Sequence, residues 1–94
     1  MNMRPSMQGQ PAEPTHRAAY TPRQGQYLAF IYYYTKLNGL PPAERDMERY
    51  FGTSPAAVHQ MVVTLEQRRL IERVHGQGRS IRLLLTRQDI PDLE

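Results

Sequence analysis

The chain has 94 residues, twelve Lys or Arg against nine Asp or Glu, and no cysteine. That length holds one small domain, too small for a roomy ligand cavity beside its core, and the missing cysteine excludes disulfides and thiolate metal sites. No apolar run reaches membrane-spanning length and the N-terminus lacks the apolar stretch of a signal peptide, so a cytoplasmic protein without a membrane partner is expected. The charge is unevenly spread. Between Thr21 and Arg87 there are ten Lys/Arg against five Asp/Glu, a net of +5 for the region expected to fold.

Residues 1–19 carry prolines and glutamines without periodic apolar residues, and are expected to form a disordered leader. Arg4 and Arg17 are read as part of an inert leader rather than as an arm on a polyanion. A folded domain is expected over residues 20–87. It opens with Thr21-Pro22-Arg23-Gln24, a capping box with proline at the first helical position. The helix is expected to run to about Asn38, with Gly39 as its stop. Leu28, Ile31 and Thr35 form its apolar stripe, with Tyr27 and Tyr34 alongside. The run Tyr32-Tyr33-Tyr34 spreads around the helix, so at least one phenol ring must face solvent or a partner.

Leu40-Pro41-Pro42 is a stiff extended link. A short helix is expected from about Ala43 to Phe51, burying Met47 and Phe51. Gly52 ends it, and Ser54-Pro55 opens a third helix to about Arg68 as N-cap and first helical residue. Val58, Val62 and Leu65 supply the buried stripe of that helix. Ala56, His59, Gln60, Val63 and Gln67 lie on its opposite face. Leu70–His75 and Ser80–Leu85 read as two strands joined by a loop over Gly76-Gln77-Gly78-Arg79. A lone hairpin is unstable, so it must pack on the helices. The expected fold is mainly α with a small antiparallel β-hairpin, a helix–turn–helix with a wing. Residues 88–94 are expected to be a flexible acidic tail.

The stretches from Thr21-Pro22-Arg23-Gln24 through Asn38-Gly39-Leu40-Pro41-Pro42, Phe51-Gly52, Ser54-Pro55 and Val58-His59 occur in one order with Leu65-Glu66, Leu70-Ile71 and Arg79-Ser80-Ile81-Arg82-Leu83-Leu84. Over Thr21–Leu85 the chain resembles the N-terminal DNA-binding domain of LexA repressors, a winged helix–turn–helix. The resemblance implies that the third helix enters the major groove of double-stranded DNA and makes base contacts from its first two turns. It departs from the pattern in three places. LexA repressors carry a C-terminal self-cleaving domain with a serine nucleophile and lysine base. The single lysine here, Lys36, lies in the first helix, so autoproteolysis is not carried over and any homodimer is expected to be weak. Ala43 stands where the family has Ser or Thr, so the second helix lacks a capping side chain. Arg69 stands where the family has Gly, so that corner is expected to be strained or differently closed.

Gln60 and His59 are the expected base readers: Gln can bond adenine bidentately, and neutral His can donate or accept at a base edge. Ala56 and Ala57 allow close approach, and Ala56 suits a thymine methyl. Ser54 is a cap first and a phosphate contact second. Arg79 at the wing tip, with Gln77 beside it, is expected to reach a phosphate or the adjacent minor groove. Arg45 on the second helix is expected to touch backbone phosphate. Arg68 and Arg69 are read as structural or merely exposed. His16, His59 and His75 match no metal spacing, the serines lack a His/Asp partner, and no Gly-rich loop precedes a helix. Neither catalysis, a cofactor nor a small-molecule ligand is expected. The expected function is sequence-preferring binding of double-stranded DNA, as a small regulator acting by promoter occupancy. A winged-helix protein-interaction module and an architectural DNA binder of little specificity are the alternatives.

Overall fold

A computed structural model of the chain describes residues 20–94. The expectation of a disordered leader falls on residues 1–19, outside the described residues. Three helices come first, α1 over Pro22–Asn38, α2 over Glu44–Phe51 and α3 over Pro55–Gln67. Two strands, β1 (Ile71–Glu72) and β2 (Arg82–Leu83), follow, and a 3-10 turn over Arg87–Asp89 leads into the C-terminal segment.

Each helix end has a local cause. The Gln24 N–H donates to Thr21 Oγ1 at 3.1 Å and the Thr21 N–H donates to Gln24 Oε1 at 2.9 Å, which completes the capping box. Gly39 stops α1 at φ 75, donating its N–H to the Thr35 carbonyl. Ala43 is the N-cap of α2 without a side-chain bond to offer. Asp46 supplies the reverse half of the box, accepting from the Ala43 N–H at 2.8 Å. Helix α2 therefore starts on register despite its missing cap. Ser54 Oγ accepts from the Ala57 N–H at 3.1 Å to open α3. At the far end of α3, Leu70 N–H bonds the Leu65 carbonyl and Arg69 N–H bonds the Glu66 carbonyl, both at 3.0 Å. This is the Schellman closure, with Arg69 in the left-handed position at φ 61. Of the two outcomes expected for that corner, the strained one is realised.

The hairpin is shorter than the alternating pattern suggests. Its ladder pairs Ile71 with Leu83 and Glu72 with Arg82, and Leu84 N–H reaches the Leu70 carbonyl at 3.0 Å. Beyond it, the Ser80 hydroxyl replaces the ladder: it accepts from the Val74 N–H at 2.9 Å and faces the Val74 and Gln77 carbonyls. Positive φ at Gly76 and Arg79 shapes the loop expected over residues 76–79, while the strands on either side stop short of the expected Leu70–His75 and Ser80–Leu85.

The core joins Tyr27, Leu28 and Ile31 of α1 to Met47 of α2, Val58, Val62 and Leu65 of α3, and Leu70, Ile71, Ile81 and Leu85 of the hairpin. Tyr27 stacks on Phe51 with ring centroids 4.1 Å apart. The tyrosine run is half-buried along its length. The Arg87 guanidinium lies over the Tyr32 and Tyr33 rings and donates to the Tyr33 hydroxyl.

The free tail expected over 88–94 is not what forms. Ile90 is 4% exposed and belongs to the core. Gln26 of α1 donates to the Asp92 carbonyl at 3.0 Å and accepts from the Glu94 N–H at 2.8 Å. Tyr50 donates to the Glu94 carbonyl and Tyr20 to that of Asp89. Gly25 makes the docking feasible. A Cβ built there would sit 2.9 Å from a Tyr20 ring carbon and 3.0 Å from Pro91 Cγ, closer than side chains tolerate. One buried isoleucine outweighs the tail's acidic composition.

Candidate nucleic-acid interface

Because Val58, Val62 and Leu65 are fully buried, the opposite face of α3 must point outward. Ala56, Ala57, His59 and Gln60 are all exposed there, and Val63 is half-buried beside them. Ser54 is exposed at the N-terminus of α3, where the helix dipole favours anionic groups. Arg45 on α2 and Gln77 in the wing are exposed as well. The first two turns of α3 thus present small and polar side chains on a rigid helix, without bulky groups in front of them.

Arg79 departs from the expectation. Its guanidinium is turned into the fold, donating from one terminal nitrogen to Asp46 Oδ2 at 3.0 Å, the Tyr34 hydroxyl at 3.1 Å and the Pro41 carbonyl at 3.3 Å. The cause is its backbone: a left-handed residue at the wing tip aims its side chain back toward α1 and α2. Burial alone would raise the Asp46 carboxyl. The Ala43 N–H, the Arg79 charge and hydrogen bond and the Tyr34 hydroxyl outweigh it and hold that carboxyl below its usual range. Arg79 braces the wing against the first turn of α2.

A second charged network lies against α3, and its acidic members were not singled out from the sequence. His59 Nδ1 is 3.2 Å from a Glu44 oxygen, and Arg73 lies 3.9 Å from the same oxygen. Arg73 Nε bonds Glu66 at 3.1 Å, and His75 Nε2 bonds the other Glu66 oxygen at 3.0 Å. The His75 hydrogen bond, with Arg73 adding to it against the opposing effect of burial, holds the Glu66 carboxyl below its usual range. Residues 44, 59, 66, 73 and 75 share no spacing rule, so only the folded chain brings them together.

A cleft of about 620 Å³ opens to solvent between α1 and the wing, lined by residues such as Ile31, Tyr32, Val74 and Leu83 and by no residue of α3. It is a surface groove, where no cavity of that size beside the core was expected. Among the described residues no helix is long and apolar enough to cross a membrane, and no group of three His, Cys, Asp or Glu is placed to hold a metal ion.

Residues 17–80 match a family described as the LexA DNA binding domain. The chain is 35% identical over 63 residues to a LexA repressor from Thermotoga maritima, a match covering 67% of this chain and 32% of that protein. A LexA repressor from Petrotoga mobilis is 43% identical over 54 residues, 56% of this chain and 26% of the relative. One from Thiobacillus denitrificans is 38% identical over 64 residues, again 67% of this chain and 32% of the relative. The matched part therefore spans about a third of the length of these relatives.

Proposed function

The chain belongs to the LexA DNA-binding domain family, and from that footing we propose that it binds double-stranded DNA with sequence preference and regulates transcription by occupying promoters. The observation that carries this reading is the exposed, polar N-terminal half of α3 mounted on a fully buried Val58–Val62–Leu65 stripe. A helix so held enters the major groove as a rigid body. Gln60 and His59 then read base edges, Ala56 and Ala57 keep the approach open, and Ser54 meets a phosphate at the helix start. Arg45 and Gln77 flank them on the DNA backbone. Arg79 acts through the wing's position rather than by its own phosphate contact. The protein works as a soluble cytoplasmic regulator without chemistry of its own, and any self-association is weak.

Selection from a random double-stranded DNA library tests this directly. An enriched motif is expected. Gln60→Ala should cost about 1–3 kcal/mol on the selected site and relax one base position, leaving affinity for random DNA nearly intact. Arg45→Ala should weaken binding to all sequences alike and lower the slope of log affinity against log salt by about one. A flat selection profile would mean an architectural binder, and no binding at all a protein-interaction module.

A further inference from the structure

We propose that Glu44 is a positioning residue that fixes the tautomer of His59 and so selects which base His59 reads, an inference that rests on α3 being the reading helix. Both Glu44 oxygens lie near the same ring nitrogen, His59 Nδ1, at 3.2 and 3.3 Å. An ionised carboxylate can only accept a hydrogen bond, so Nδ1 must carry the proton. In the neutral ring the other nitrogen, Nε2, is then left with a lone pair and no proton. The His59 side chain is 57% exposed, so that lone pair is available on the outer face of α3.

Glu44 is itself held. Its side chain is about two-thirds covered, Arg73 lies 3.9 Å from one of its oxygens, and Arg73 is anchored in turn by Glu66. The acceptor is therefore held from α2 and from the segment after β1, with Glu66 near the far end of α3 anchoring Arg73 in turn. Glu66 treats His75 in the opposite sense: it bonds Nε2, which leaves His75 Nδ1 as the acceptor. The chain holds two rings in opposite tautomers, each set by one carboxylate.

The consequence for recognition follows from the groove edges. An unprotonated Nε2 pairs with an exocyclic amino group, adenine N6 or cytosine N4. Guanine presents only the acceptors N7 and O6 in the major groove and is refused. Replacing Glu44 by a donor-only side chain reverses the logic: Nδ1 accepts, Nε2 takes the proton, and acceptor edges such as guanine N7 and O6 or thymine O4 become its partners.

Two measurements test this on the full chain. Long-range nitrogen–proton NMR spectra, recorded with the rings neutral, should show His59 protonated at Nδ1 and His75 at Nε2. Glu44→Lys should move the His59 proton to Nε2 and leave His75 unchanged. In selection experiments the position that His59→Ala flattens should prefer adenine or cytosine with the parent chain. With Glu44→Lys it should admit guanine and thymine and lose cytosine, a swing of roughly tenfold at that position alone. His59 found mainly as the Nε2–H form in the parent overturns the proposal. So does a sequence-preferring Glu44→Lys variant that still refuses guanine at that position. A parent chain that binds every sequence alike would instead remove the reading of α3 on which the inference stands. The tautomers seen by NMR distinguish the two failures.

Discussion

The two ends of this three-helix frame are held together differently. At the end that presents the outer face of α3, caps and charges do the work: Ser54 starts α3, Asp46 starts α2, and Arg79 ties the wing to Asp46. At the opposite end, the C-terminal segment closes over α1 through Ile90 in the core, Pro91 against Gly25, and backbone bonds to Gln26 and Tyr50. The first kind of fastening is directional and leaves polar side chains facing outward. The second combines burial of Ile90 with hydrogen bonds to the backbone of the C-terminal segment. The difference indicates where stability and function can be altered separately.

Truncation before Gln88 should separate them most sharply. Losing the burial of Ile90 and the packing of Leu93 should cost about 3 kcal/mol. For a domain of this size that is a melting temperature lower by roughly 15 °C. The base preference selected on random DNA should be unchanged, because no residue of the tail lies on α3. A truncated chain that melts like the parent would show that Ile90 contributes no net burial.

This contrast also explains what the sequence could reveal. Helix ends were legible because capping acts over three or four residues, so Thr21, Gly39, Gly52 and Ser54 announce themselves locally. The outward face of α3 followed from helical spacing in the same way, and with it the exposure of His59 and Gln60. The docked tail was not legible: Gln26 meets Asp92 and Glu94 across 66 and 68 residues. The acidic composition of that segment pointed toward solvent. The inward turn of Arg79 was hidden for a related reason. Its direction is set by a positive φ, which sequence patterns associate with glycine, and by Asp46, 33 residues away. Glu44 and Glu66 escaped notice because surface charges on helices are usually solvated, and Arg73 because its partners lie on other elements, α2 and α3.

Asp46→Ala is the next largest perturbation and acts on the other end. The variant loses the bond to the Ala43 N–H and the partner of Arg79, which should cost about 2 kcal/mol, since hydrogen bonds to charged groups are the stronger kind. The loss should depend on pH. The Asp46 carboxyl titrates below its usual range in the folded chain. Its contribution is therefore complete above the unfolded value of about 4 and disappears as pH falls through the lower folded value. Urea midpoints of parent and variant should differ by a constant amount at neutral pH and converge in acid. A gap that persists in acid would mean that the carboxylate form of Asp46 is not what braces the wing. Truncation of the tail, resting on apolar burial, should show no such convergence.

Arg69→Gly should give the smallest change, and in the stabilising direction. Arg69 and Gly52 share one backbone conformation, φ 61 and φ 62, each just past the end of a helix. At Gly52 a Cβ would meet nothing within 4 Å, so the cost of Gly52→Ala is purely that of the left-handed backbone, about 1 kcal/mol. Arg69 bears that cost already, between α3 and the wing. Replacing it by glycine removes the strain and leaves the bonds to Glu66 and Leu65 in place, because the backbone makes them. Part of the gain is offset by the greater freedom of glycine in the unfolded chain, so the net should be about 0.5 kcal/mol, or roughly 3 °C. Arg68→Gly, one residue earlier at φ −84, serves as the control and should lower stability through that same freedom. Opposite signs at two adjacent arginines would place the strain in the backbone of residue 69. A fall in melting temperature for both would show that the Arg69 side chain stabilises the corner by more than its backbone costs.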